Sequence, residues 1–193
     1  MTTVAEEKNG ASAVTRAREN PPSRKSAEHY WRWVLNHAPG LLLFARQQGR
    51  CEADAQDLVQ EAVVEAWQRQ ANGAPPPLAL VFATIRRRAA DWGRSQDRRA
   101  AREAAVHAET PECWFDSSIE DRDRSRLIQE AMSKLQEDYR EVVTLKTWGG
   151  LTFAEIAEAL EIPANTAASR YRYGLEELRK ALGSKVLIES LRG

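Results

Sequence analysis

The chain has 193 residues and a mass of 21.7 kDa, with 28 Lys plus Arg against 28 Asp plus Glu, the size of one ordinary domain or two small ones. Charged residues at 29% and hydrophobic residues at 42% exclude a wholly disordered chain. The longest apolar runs, such as residues 38–45, hold a Pro and a Gly and fall far short of the ~20 residues a spanning helix needs, so no membrane insertion is expected.

No apolar core follows the basic residues near the N-terminus, so a secretory signal is not expected. The two cysteines, Cys51 and Cys113, are too few for a disulfide framework or a thiolate metal site. A reducing cytoplasm fits this usage.

In chain order, residues 1–26 are rich in Ala, Glu, Ser, Thr, Asn and Pro and show no period, which predicts a disordered arm. Residues 27–47 predict a helix interrupted at Pro39-Gly40. Trp31 and Trp33 lie two apart and cannot both face inward, so one is expected at the surface. Residues 53–69 predict an amphipathic helix, with Ala55, Leu58, Val59, Ala62, Val63 and Ala66 on one face. The triple proline 75–77 requires a loop. A helix then starts near Leu78 and runs to about Ala105, with Leu78, Val81, Phe82, Ile85, Ala89 and Trp92 as its stripe.

Residues 107–124 carry Pro111 and a cluster of acids and read as an interdomain linker. Short helices follow over Leu127, Ile128, Ala131 and Leu135, and from Tyr139 to Lys146, the second closed by Gly149-Gly150. Thr152 and Glu155 form a capping box. The last long helix runs from about Ala164 to Leu182, with Ala167, Tyr171, Leu175, Leu178 and Leu182 inward. No period-two stretch predicts a strand, so the expected fold is all-α, in two small helical domains joined by an acidic flexible linker.

The zero net charge hides a pattern. Residues 86–102 carry seven arginines and two aspartates, and residues 103–124 carry two arginines and seven acids. A basic stripe on a folded element is the footprint of a polyanion, although a solvated helix paired with its linker would show the same charges. The strongest motif lies over residues 152–173, where two helices joined by a turn of about four residues fit a helix-turn-helix. Its second helix turns Asn165, Thr166, Ser169, Arg170, Arg172 and Tyr173 away from the inward stripe. Short polar groups and guanidinium forks of this kind read base edges or neutralise phosphates. A helical hairpin that packs without DNA is the plain alternative.

These residues carry a family resemblance. Leu135-Gln136-Glu137, Tyr139-Arg140-Glu141-Val142-Val143 and Leu145, then residues 150–158, Leu160-Glu161-Ile162-Pro163, Thr166-Ala167-Ala168-Ser169-Arg170 and Leu178-Arg179, resemble region 4 of bacterial sigma-70 factors of the extracytoplasmic-function group. Residues 54–61 resemble region 2.2, and residues 87–94 resemble regions 2.3 and 2.4. The matches occur in the family's order and span roughly residues 27–183. Three positions depart from the family pattern: Glu161 replaces the turn glycine, Ala167-Ala168 replaces Val-Lys, and Arg88 replaces an asparagine.

The resemblance implies a transcription initiation factor that is not an enzyme and needs no cofactor or metal. Its domains would be an arm over 1–26, a region 2-like domain over 27–106, a linker over 107–124, a region 4-like domain over 125–183 and a tail over 184–193. It assigns Asp54, Asp57, Leu58, Gln60 and Glu61 to the β′ clamp helices of core RNA polymerase. It assigns Asn72, Gly73, Arg86, Arg87, Arg88, Arg94, Arg98 and Arg99 to the −10 element, where a freed strand needs a cationic track. It assigns the outward residues of the second helix, Asn165 to Tyr173, to the −35 element. The β flap and an anti-sigma factor are further implied partners, and a small-molecule substrate is not expected. The acids Glu109, Glu112, Asp116, Glu120 and Asp121 suit a linker passing through a positively charged nucleic-acid channel. No His or Cys spacing resembles a zinc site. Two rival classes are a stand-alone helix-turn-helix regulator, which the region 2.2 resemblance opposes, and a pure protein-interaction module, which the 86–102 tract opposes.

Overall fold

The computed structural model describes the backbone of residues 24–48, 51–70, 74–100, 114–115 and 122–190, and the side chains of 28–48, 51–70, 74–92, 114–115 and 122–183. Among the described residues there are seven helices and no strand. They are α1 (Arg24–Gln48), α2 (Glu52–Gln68), α3 (Leu78–Ala100), α4 (Arg122–Ser133), α5 (Glu137–Thr147), α6 (Phe153–Leu160) and α7 (Ala164–Ser190).

Helix α1 does not break at Pro39-Gly40; Pro39 lies inside one continuous helix. The missing N–H leaves only the carbonyl of Leu35 without its helical donor. Leu35 is 72% exposed, so water reaches that turn. Trp31 is 61% exposed, while Trp33 turns inward and packs edge-on to Trp67, with ring centroids 5.8 Å apart.

Helix α2 follows its predicted stripe, with Ala55, Leu58, Ala62, Val63 and Ala66 buried. The Sγ of Cys51 caps its start by accepting from the Asp54 N–H at 3.4 Å. Helix α3 begins after the triple proline, and the Pro77 carbonyl accepts from the N–H groups of Leu80 and Val81. Phe82 from α3 meets Phe44 from α1 edge-to-face at 5.3 Å.

In the C-terminal half, Thr152 Oγ1 accepts from the Glu155 N–H at 3.3 Å, and the Glu155 carboxylate accepts from the Thr152 N–H at 2.8 Å. The predicted capping box is therefore complete. Helix α6 ends at Glu161 with φ 56 and ψ 44, the left-handed geometry that a glycine would take without strain. On α7, Leu175 is 41% exposed rather than inward. Gly174 faces α5 instead, where a Cβ would stand 2.8 Å from Val143 Cγ2.

The two halves share a core. Leu41, Phe44, Phe82 and Ile85 from the first half belong to one buried cluster with Val142, Leu145, Ile156, Leu160 and Ala167 from the second. Close approach makes this possible: a Cβ on Gly40 would stand 2.6 Å from the Trp148 carbonyl oxygen.

Candidate nucleic-acid and polymerase interfaces

The first surface is a groove of about 570 Å³ between α2 and α3. Asp54, Asp57, Glu61, Glu65 and Asp91 line it against Arg87 and Arg88, with Leu58 and Trp92 as its apolar part. Asp57, Gln60 and Glu61 are exposed and Asp54 is half-exposed. Leu58 is buried at 7% exposure and serves chiefly as core. Five carboxylates against two guanidiniums leave the groove net negative, which suits a basic partner.

The second surface is the start of the arginine tract on α3. Sequence reasoning gave Arg86, Arg87 and Arg88 to DNA alone, but each has an internal partner. Arg87 Nη2 lies 2.5 Å from Glu65, and Arg88 Nη2 lies 2.7 Å from the same carboxylate. Arg88 also pairs with Glu61. Burial pushes the Glu65 pKa up, but hydrogen bonds and charge from Arg88 and Arg87 outweigh it and hold the carboxyl below its usual range. Arg86 Nε donates to Glu141 on α5 at 3.1 Å. Glu141 is nearly enclosed, and burial raises its pKa more than Arg86 lowers it. Glu65, Asp91 and Glu141 were missed as site residues. Glu65 follows Glu61 by one helical turn, a spacing that could have flagged it. Glu141 gave no signal, because its partners come from distant helices.

Asn72 and Gly73, and the side chains of Arg94, Arg98 and Arg99, lie outside the described residues, as do the linker acids Glu109, Glu112, Asp116, Glu120 and Asp121.

The third surface is the second helix of the helix-turn-helix. Ile162 N–H donates to the Ala157 carbonyl at 3.0 Å and closes the turn. Ala167 is fully buried and anchors α7. Asn165, Ser169, Arg172 and Tyr173 are exposed, and Thr166 is half-exposed. Arg172 stacks on Tyr173 with its guanidinium 5.0 Å from the ring centroid. Arg170 differs from its neighbours: it is 25% exposed and pairs with Asp138 on α5 at 2.5 Å. Among the described residues no cluster of His, Cys, Asp and Glu is fit to hold a metal ion.

Family models describe the same two halves. Residues 22–99 match sigma-70 region 2, and residues 125–178 match sigma-70 region 4. The ECF RNA polymerase sigma factor SigL of Mycobacterium tuberculosis is 30% identical over 149 residues, covering 76% of this chain and 84% of that relative. The chain belongs to the ECF sigma factors of the sigma-70 family. SigK of Mycolicibacterium vanbaalenii is 27% identical over 135 residues, covering 67% of this chain and 69% of that one.

Two solved structures share the fold. The sigma factor RpoE of Bartonella quintana, in complex with the anti-sigma factor NepR, aligns with a TM-score of 0.58 at 22% identity, over 80% of this chain and 96% of that one. CnrH, in complex with the cytosolic domain of CnrY, aligns with a TM-score of 0.56 at 22% identity, over 83% and 94%. As a sigma factor, the chain directs promoter-specific transcription. The match over residues 22–99 leaves the stand-alone regulator without support.

Proposed function

We propose that the sigma factor docks on the clamp helices of core RNA polymerase through Asp54, Asp57, Gln60 and Glu61, with Leu58 holding the helix that presents them. The acidic groove between α2 and α3 supports this reading, because its charge complements a basic partner helix. Arg86, Arg87 and Arg88, continued by Arg94, Arg98 and Arg99 and preceded by Asn72 and Gly73, form the −10 contact surface. Each described arginine of this set trades an internal carboxylate for a phosphate when DNA arrives. Asn165, Thr166, Ser169, Arg170, Arg172 and Tyr173 read the −35 element from the start of α7.

The domains are the region 2 unit over 27–106 and the region 4 unit over 125–183, with 107–124 joining them. The factor performs no catalysis, needs no cofactor and works in the cytoplasm. Among the described residues no helix is long and apolar enough to cross a membrane. The β flap is the expected second polymerase contact. Both solved relatives are held by a second protein, in one case a named anti-sigma factor, which supports a regulator of that kind here.

The observation that carries the reading is the order of surfaces on one chain: an acidic docking groove, a basic helix beside it, then a capped helix-turn-helix. Run-off transcription on genomic fragments tests it. Core polymerase plus this chain should give start sites absent with core alone. An intact helical chain that yields none refutes it.

A further inference from the structure

The short stretch Trp114-Phe115 joins both halves of the molecule. The Trp114 carbonyl accepts from Arg46 Nη1 on α1 at 2.8 Å. Arg46 is only 10% exposed and is fixed by Glu52 through hydrogen bonds of 2.7 and 3.0 Å. The Trp114 N–H donates to Gln129 Oε1 on α4 at 2.9 Å. Its indole packs on the cluster of Met132, Leu135 and Val143, with the Arg140 guanidinium 5.9 Å from the ring. Phe115 lies against Trp148, with ring centroids 5.7 Å apart. Trp148 is the residue whose carbonyl abuts Gly40 of α1. One dipeptide therefore grips α1 through its backbone and the second half through both of its rings.

The remaining interface combines the shared apolar core with a polar patch: Gln48 Nε2 and Arg86 Nε both donate to Glu141 Oε1, and Thr144 Oγ1 donates to Gln47 Oε1. Burying a carboxylate costs about as much as its pairing returns, so such a patch specifies geometry more than it stabilises. The shared core and the contacts of Trp114-Phe115 then set together how firmly the halves stay closed.

The closed form cannot read a promoter. The −10 and −35 elements lie about 25 base pairs apart, about 85 Å along B-DNA at about 3.4 Å per base pair. A compact chain of this length has a radius of gyration of about 16 Å and a diameter of about 40 Å. The closed form also spends Arg86 on Glu141.

We propose that Trp114-Phe115 is an intramolecular latch that holds the sigma factor in a closed resting form, and that its release lets the two DNA-reading units separate. That the closed form is inactive rests on the function proposed above; that the latch holds it closed does not.

The test measures a distance in the free full-length chain. Spin labels go on Arg32→Cys of α1 and Glu177→Cys of α7, both exposed positions, in a background of Cys51→Ser and Cys113→Ser. Pulsed electron resonance on the parent should give one short-distance population. Trp114→Ala with Phe115→Ala should raise the long-distance fraction about tenfold or more, equivalent to about 1.4 kcal/mol, at unchanged helix content. Gly40→Ala, which forces a Cβ against the Trp148 backbone, should open the same interface independently. If Gly40→Ala lengthens the distance and the double variant does not, the latch is refuted. If neither does, the latch is likewise refuted; a parent that already shows the long distance refutes the closed interface itself. Should the double variant lose helix content, Phe115→Ala alone decides: a smaller lengthening supports the latch and an unchanged distribution overturns it. No polymerase enters this measurement. A chain that opens on latch removal yet never supports run-off transcription would keep the latch and overturn the proposed function.

Discussion

Removing the hydroxyl of Thr152 should loosen the helix-turn-helix by a definite amount. Its Oγ1 accepts the Glu155 N–H, and its own O–H donates to the Glu155 carboxylate at 2.7 Å. Thr152→Ala deletes both bonds and leaves the N-terminus of α6 without its side-chain cap. Loss of an N-cap costs about 1 kcal/mol. For a chain of this size that lowers Tm by roughly 2–4 °C. The shared core means α6 does not unravel alone, so the loss should appear in the global transition.

Acid supplies an internal control. Hydrogen bonds from the Thr152 side chain and backbone lower the Glu155 pKa. A carboxyl with a lowered folded pKa contributes stability above its ordinary pKa and loses it as pH falls through the folded value. The gap between parent and Thr152→Ala should therefore narrow on acidification below the ordinary carboxylate range. Calorimetry from neutral to acid pH reads both effects. An unchanged Tm at neutral pH, or a gap that widens in acid, would refute this role for the cap.

Two further predictions concern charge. Burial raises the Glu141 pKa, with Arg86 offsetting only part of the effect. The group's stability contribution is therefore present below the ordinary carboxylate pKa and is lost as pH rises through the raised value. Glu141→Gln should remove that pH dependence and leave Tm at neutral pH at or above the parent's, because Arg86 is 43% exposed and keeps its hydration. A loss on the order of 3 kcal/mol, a fall of roughly 6–12 °C, would show that the pair is a net stabiliser. Replacing Arg170 and Arg172 with Ala should weaken holoenzyme binding to the −35 element by about 1–3 kcal/mol for each base that an arginine no longer bridges and leave polymerase binding intact. Footprinting reads the first effect and co-elution the second; a variant that no longer binds polymerase would contradict the assignment.

Much of this was legible in the sequence, for physical reasons that also explain the misreadings. The stripe of α2 and the capping box of α6 are local patterns, and local patterns survive into the fold. Pro39-Gly40 reads as a break, yet a long helix with a hydrated turn tolerates the proline, and the glycine serves packing against Trp148. Leu175 reads as core because it is apolar. The true stripe runs 167, 171, 174 and 178, where a glycine fills the inward position and gives no hydrophobic signal. The arginine tract was visible as charge, but its partners Glu61, Glu65 and Glu141 sit on other helices, and charge counting along a chain does not pair residues across space. The placement of the two halves stayed open, since periodicity shows that a face is buried and not what covers it.

Polymerase docking through α2 is the step on which the proposed function depends. The measurement is size-exclusion co-elution of the purified chain, free of any bound inhibitor, with core RNA polymerase from the same bacterium, followed by titration of the parent and of Asp57→Lys with Glu61→Lys. Docking through α2 predicts a stoichiometric complex for the parent, and an affinity at least about tenfold weaker, about 1.4 kcal/mol, for the reversed pair at unchanged helix content. An intact parent that does not co-elute, or a reversed pair that binds as tightly as the parent, would contradict it.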